Sequence, residues 1–166
     1  PSALNNLKIY SNLYAFVAVN KTNNQVVTSW GNDAYGGVPH PVTYAVLAVY
    51  STYYTFAGLK TDRTVYAWGG SADTGLEVPA GLVDVVSIAS TSNAFAALTS
   101  TGNVRVWGHV DYGGGQPSTP LTYVHAIYAT KSAFAAVKST TRVLIAWVSG
   151  THADIFVMNT YQMLES

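Results

Sequence analysis

The chain has 166 residues, enough for one domain with a buried core, and no partner domain need be assumed. Apolar residues make up 49% but charged residues only 10%, against about 25% in an average soluble chain, so polarity comes from Ser, Thr, Asn and Gly. Eight basic and eight acidic residues cancel, which removes the field that nucleic acid or an anionic membrane would require, and the absence of cysteine excludes disulfides, thiolate zinc sites and thiol nucleophiles.

In chain order the first recognisable unit is YAFVAVNKTNNQVVTSWG, residues 14–31, followed by YTFAGLKTDRTVYAWG at 54–69, NAFAALTSTGNVRVWG at 93–108 and SAFAAVKSTTRVLIAWV at 132–148. Trp30, Trp68, Trp107 and Trp147 are spaced by 38, 39 and 40 residues, and Phe16, Phe56, Phe95 and Phe134 by 40, 39 and 39. Two independent rulers with one period define a tandem repeat. Each of the first three units runs on into glycines and a proline: Gly36, Gly37 and Pro39; Gly75 and Pro79; Gly113, Gly114, Gly115 and Pro117. An apolar triplet follows, such as Leu82, Val85 and Ile88, or Leu121, Val124 and Ile127.

Helical spacing is absent, and the β-branched and aromatic runs read as strands. AFAAL and VRVWG flank the turn TSTGN, where Gly102 and Asn103 readily take positive φ, so each unit opens with a hairpin. The triplet run supplies a third strand, giving three or four strands per unit and units at about 3–42, 43–81, 82–120 and 121–166 of a single repeat domain. One such sheet cannot bury both its faces, so the sheets must stack, as propeller blades or as a solenoid. Alanines crowd the first hairpin strand (Ala15 and Ala18; Ala57; Ala94, Ala96 and Ala97; Ala133, Ala135 and Ala136), as expected for the inner strands of a propeller, where sheets converge. The eight repeated aromatics are then core residues, each pair filling the wedge between adjacent blades.

The pattern AFAALxxxGxVxxWGxxxxGG, followed by a proline and LxxVxxI, resembles the repeat of the regulator of chromosome condensation superfamily, in its shorter bacterial form. The resemblance covers nearly the whole chain and is most specific at Asn93 to Gly108. It implies an all-β propeller, commonly of seven blades, in a superfamily whose members bind nucleosomes, small GTPases or β-lactamases through unrelated loops. Gly31, Gly69 and Gly108 follow tryptophan as that repeat requires, whereas Val148 does not, so the fourth unit is an atypical terminal one. The chromatin role is not carried over, because the eight basic residues are spread through all four units and balanced by acids.

Catalytic signatures are absent, among them GxSxG, GxxxxGK[ST] and HExxH, and glutamate occurs only at Glu77 and Glu165, so neither enzyme activity nor a cofactor is expected. His40, His109, His125 and His152 show no pair at metal-ligand spacing, although His40 and His109 both follow a Trp-Gly corner. Asp33, Asp73, Asp111 and Asp154 recur after each tryptophan and are read as caps of Asx turns rather than cation ligands. Asn20-Lys21-Thr22 is an N-glycosylation acceptor in a polar turn, and twelve tyrosines suit protein or sugar recognition where they reach the surface.

Four units leave an arc with bare ends. Leu7 and Ile9 precede the first hairpin as the triplet strand should, and Met158 to Leu164 fall where the next such strand would begin, making Leu7, Ile9, Met158 and Leu164 the candidate assembly ends. The chain then reads as a non-enzymatic extracellular or cell-surface structural or adhesive module that joins copies of itself or another protein end to end. The alternatives are a lectin-like or inhibitory propeller acting through its glycine-rich loops, and a fragment of a larger propeller. Because the chain opens on Pro1 without Met, it is expected to be mature, trimmed or partial. No apolar run approaches the ~20 residues needed for a bilayer span, so membrane insertion is not expected.

Overall fold

Runs of alternating β-branched and aromatic residues, punctuated by polar turns, fold locally into hairpins, and the triplet strand preceding each hairpin completes its sheet. The computed structural model describes residues 6–38, 45–117, 120–139, 143–148 and 156–159. Its strands are β1 (Leu7–Ser11), β2 (Ala15–Asn20), β3 (Val26–Gly31), β4 (Val46–Ser51), β5 (Phe56–Lys60), β6 (Val65–Trp68), β7 (Val85–Ser90), β8 (Ala94–Thr99), β9 (Val104–Gly108), β10 (Val124–Ala129), β11 (Ala133–Lys138), β12 (Val143–Val148) and β13 (Phe156–Asn159). They form four antiparallel sheets in the orders β1-β2-β3, β4-β5-β6, β7-β8-β9 and β10-β11-β12-β13. This is a β-propeller architecture of four consecutive blades.

Register explains the period. Each phenylalanine lies directly across from its tryptophan, at Phe16–Trp30, Phe56–Trp68, Phe95–Trp107 and Phe134–Trp147, so the two rings share one face of the sheet. The ring centroids are 5.4, 5.3, 5.2 and 5.5 Å apart. The opposite face of each blade carries small and branched residues, and packing the two kinds of face together makes three separate cores. Between the first and second blades, Ala15, Val17 and Val19 meet Val46, Val49, Phe56 and Trp68. Ala57 and Leu59 meet Val85, Ile88, Phe95 and Trp107 at the next junction, and Ala94, Ala96 and Leu98 meet Val124, Phe134 and Trp147 at the third. Burying one such aromatic side chain contributes about 1.5 to 3 kcal/mol.

Main-chain hydrogen bonds join the blades at two levels. At the turns between first and second strands, the Leu13 N–H donates to Tyr53 O (3.2 Å), Tyr53 N–H to Ser92 O (2.8 Å) and Ser92 N–H to Lys131 O (2.9 Å). At the hairpin turns the bonds run the other way: Val46 N–H donates to Asn24 O (2.8 Å), Val85 to Arg63 O (2.9 Å) and Val124 to Gly102 O (2.9 Å). The accepting residues Asn24, Arg63 and Gly102 all have positive φ, of 58°, 66° and 80°, which belongs to the turn conformation that offers the carbonyl to the next blade. Asn103, expected to share that conformation, does not.

Two strand assignments differ from expectation. Successive blades approach most closely through β1, β4, β7 and β10, so these are the inner strands; the alanine-rich strands β2, β5, β8 and β11 are second in each sheet. Alanine is placed there by face-to-face packing: Ala94 and Ala96 lie fully buried against the aromatic face of the following blade. Met158 does not begin another blade's first strand. It lies in β13, paired with Leu144 of β12 as a fourth strand of the last sheet. Val148 stands where the other blades have Gly31, Gly69 and Gly108, with φ of 119°, 77° and 105°. Leu164 lies outside the described residues.

Candidate functional site

After each tryptophan in the first three blades the chain leaves the sheet and coils into one short 3-10 turn, at Asp33–Tyr35, Ala72–Thr74 and Val110–Tyr112. Each turn ends on a left-handed glycine, Gly36, Gly75 or Gly113, with φ of 93°, 98° and 86°. That glycine lies on the aromatic pair of the next blade. A Cβ at Gly36 would come 2.9 Å from Phe56 and 3.1 Å from Trp68, one at Gly75 would come 2.5 Å from Phe95, and one at Gly113 2.6 Å from Phe134. The indole Nε1–H groups of Trp107 and Trp147 donate to Gly75 O (2.9 Å) and Gly113 O (3.2 Å), while that of Trp68 is buried without a partner.

A side chain in the β1-β2 type turn fastens each coil. Asn12 Oδ1 accepts from Ala15 N–H (2.7 Å) while its Nδ2 donates to Tyr35 O (2.8 Å). Thr52 repeats this with Thr55 N–H (3.0 Å) and Thr74 O (3.0 Å), and Thr91 with Ala94 N–H (3.1 Å) and Tyr112 O (2.9 Å). Thr130 accepts from Ala133 N–H at 3.1 Å. These four positions are spaced 40, 39 and 39, a third ruler that was available in the sequence and overlooked. The caps of the coils come from residues other than the recurrent aspartates. In the first and third turns the residue before the coil supplies the cap, Asn32 Oδ1 to Ala34 N–H (3.0 Å) and His109 Nδ1 to Asp111 N–H (3.1 Å). In the second, Thr74 Oγ1 accepts from Ser71 N–H (2.8 Å). Asp154, His40 and His152 lie outside the described residues. Among the described residues no three His, Asp or Glu side chains gather as metal ligands, and no helix is long and apolar enough to cross a membrane.

Three surfaces stand out against this repeating frame. The first is a cleft of about 400 Å³ between the first two blades, lined by Tyr14, Tyr35, Tyr54, Gly70, Ser71 and Thr74. Tyr14 stacks on Tyr54 at 5.7 Å and leans on Tyr35 at 4.7 Å. The equivalents of Tyr14 and Tyr54 in the later blades are Asn93 and Ser132, so the aromatic cluster is not a demand of the repeat. The second is the mouth of the inner channel, about 480 Å³, where Ser11, Ser51, Ser90, Thr91, Ser92 and Lys131 converge. Ser51 Oγ–H donates there to Ser11 O (2.8 Å), and Ser92 Oγ is buried without a partner.

The third is the outer face of the first blade. Six of the eight repeat aromatics are buried at 8% exposure or less, but Phe16 is 44% exposed and Trp30 43%, contrary to the expectation that all eight fill wedges. The reason is positional: their rings face away from the second blade, on a side that no other described blade covers. Leu7 and Ile9, cross-strand from Asn20 and Ala18, share this face, with Ile9 49% exposed. Asn20 ends β2 half-buried, its Oδ1 accepting from Thr22 N–H at 2.8 Å in an otherwise exposed turn.

Four repeated blades, aromatic pairs between them and a backbone ladder along the inner end define the protein as a β-propeller. Its fold is of the kind seen in the regulator of chromosome condensation and its relatives. The ectodomain of the receptor kinase CR4 from Physcomitrella patens superposes with a TM-score of 0.63 at 20% identity, over 86% of this chain and 38% of that one. Prp20p from Saccharomyces cerevisiae, whose structure was described together with its binding to Gsp1p and histones, gives 0.63 at 17%, over 85% and 43%. The CRINKLY ectodomain of the Arabidopsis thaliana receptor kinase ACR4 gives 0.60 at 12%, over 92% and 54%. The chain therefore spans 38 to 54% of the length of these propellers. No protein-family model and no curated protein sequence matches it.

Proposed function

We propose that the chain is a non-enzymatic structural or adhesive propeller segment, working outside the cell or at its surface, that acts by docking protein through the bare face of its first blade. The observation that carries this reading is the exposed, ordered Phe16–Trp30 pair beside Ile9, since a contiguous apolar patch of this kind on a soluble protein marks an interaction surface. Protein partners suit the fold, because Prp20p binds proteins, and the partial coverage of the longer propellers favours a segment that joins further blades. The low charge and the Asn20-Lys21-Thr22 acceptor support the extracellular setting. Multi-angle light scattering of the purified chain tests it: association that rises with concentration and is abolished by F16S/W30S is expected, whereas a strict monomer at high concentration overturns the reading.

A second reading, recognition of a ligand, is favoured by the tyrosine cleft. Three rings with hydroxyls beside them offer a flat apolar platform with adjacent hydrogen-bonding groups, the composition of a sugar or peptide site. A glycan array and a pull-down on which wild type binds and Y14A does not would establish it; two empty screens would remove it.

A further inference from the structure

The bare face of the first blade has three occupied counterparts within the same chain. Leu7, Ile9, Phe16 and Trp30 correspond to Val46, Val49, Phe56 and Trp68 of the second blade and to Val85, Ile88, Phe95 and Trp107 of the third, as their cross-strand partners show. The two later sets are 0 to 6% exposed. Ring geometry is the same in both states, 5.4 Å and 16° for the bare pair against 5.2 Å and 26° for Phe95–Trp107, so the face needs no rearrangement to be covered.

What covers it can be read from the occupied junctions. A preceding blade lays a left-handed glycine on the rings, donates a turn N–H to the carbonyl of Tyr53, Ser92 or Lys131, and offers a hairpin carbonyl to the N–H of Val46, Val85 or Val124. On the first blade the corresponding groups are Leu13 C=O and Leu7 N–H. A second copy of this chain can cover the apolar side chains, which is the association that light scattering reads, but it does not meet the full specification. Its glycines Gly36, Gly75 and Gly113 already lie on Phe56, Phe95 and Phe134, and six residues after Trp147 stands Ala153. We infer that the Leu7–Ile9–Phe16–Trp30 face is the receiving half of a blade junction, and that its occupant is a further blade of this repeat type, outside these 166 residues, carrying a glycine-capped 3-10 turn after its tryptophan. This rests on the docking role proposed above and names its partner.

The test supplies such a blade in cis. A copy of residues 82–120 is joined ahead of Leu4, the residue in register with Leu82 and Leu121, and the protein is labelled with 5-fluorotryptophan. The Trp30 signal is assigned by W30F. Its acrylamide quenching is expected to fall roughly tenfold on extension, the ratio of 43% exposure to the 3% and 5% of Trp68 and Trp107. Replacing the added copy of Gly113 by valine should restore the quenching of the unextended chain, as should F16S in the extended protein, with the Trp68 and Trp147 signals reporting an intact fold. The inference is overturned if Trp30 stays quenchable in the extended chain, or if the valine version protects it equally, since a glycine turn would then not be the occupant. The docking role itself is judged by the light scattering of the unextended chain, so the two failures are separable.

Discussion

At Gly75 two penalties for a side chain coincide, and Gly81 separates them. Both have positive φ, 98° and 71°, but a Cβ at Gly75 would lie 2.5 Å from the Phe95 ring whereas one at Gly81 would meet nothing within 4 Å. Gly81→Ala should cost only the left-handed strain, about 1 to 2 kcal/mol. Gly75→Ala adds overpacking of about 1 to 3 kcal/mol, and urea denaturation should rank the two in that order. Equal losses would mean that the turn does not press on the rings. Asp62 provides a second residue-scale prediction. Hydrogen bonds from the Thr64 hydroxyl (2.6 Å) and N–H (2.9 Å), aided by Lys60 at 3.2 Å, lower its carboxyl to about 2. A folded-state value below the unfolded one means that the stabilisation is present above about pH 4 and is lost as pH falls toward 2. Thr64→Ala, which removes the hydroxyl and keeps the N–H, should raise the titration from about 2 in a carboxyl NMR titration. A titration that stays near 2 would place the cause elsewhere. The paired Phe and Trp positions were legible because register makes each pair a cross-strand couple. The exposure of Phe16 and Trp30 was not, because the first unit carries the same residues as its buried copies and only its neighbourhood differs.

The 3-10 coil is the element on which the junctions depend, and the buried hydroxyl of Thr91 holds it. Thr91→Val keeps the shape but leaves the buried Ala94 N–H and the Tyr112 carbonyl without partners, a loss of about 1 to 3 kcal/mol, while Thr91→Ser should recover most of it. If valine is as stable as threonine in urea, the coil is held by its contacts with Phe134 and Trp147 instead. Glycine spacing pointed to a loop here, but not to its fastening: Asn12 and Thr52 are chemically different and sit in turns where polar residues are unremarkable. The recurrent aspartates drew attention instead, although the residues immediately before the coils are Asn32, Ser71 and His109, too varied to register as a pattern. Arg63 was equally hidden. It holds the left-handed turn position that Gly102 fills in the third blade, and arginine has no preference for that conformation.

For the whole molecule, stacked sheets followed from the period, and propeller rather than solenoid from the alanines and the resemblance of the repeat, but the number of blades beyond these four did not. Each junction is built from the same contacts between nearest neighbours, and a chain of this kind has an energy that grows blade by blade. A fourth strand per unit was allowed for, but Met158 was placed in a following blade rather than in β13, because it carries the right polarity for either a closing or a continuing strand. With eight positive and eight negative charges, association through the first blade's apolar face should be insensitive to sodium chloride up to 1 M and strengthened by sulfate. Light scattering in a salt series checks this, and dissolution of the complexes by sodium chloride would point to ionic contacts instead.

The rail of amides from Leu13 through Tyr53 and Ser92 to Lys131 has a direction. Every donor belongs to the earlier blade and every acceptor to the later one. Blades can therefore be added to this arc only head to tail, and two arcs meeting by identical faces would bring acceptor against acceptor. A vector of this sort confers polarity on whatever is assembled, so that its two extremities differ chemically however many blades lie between them.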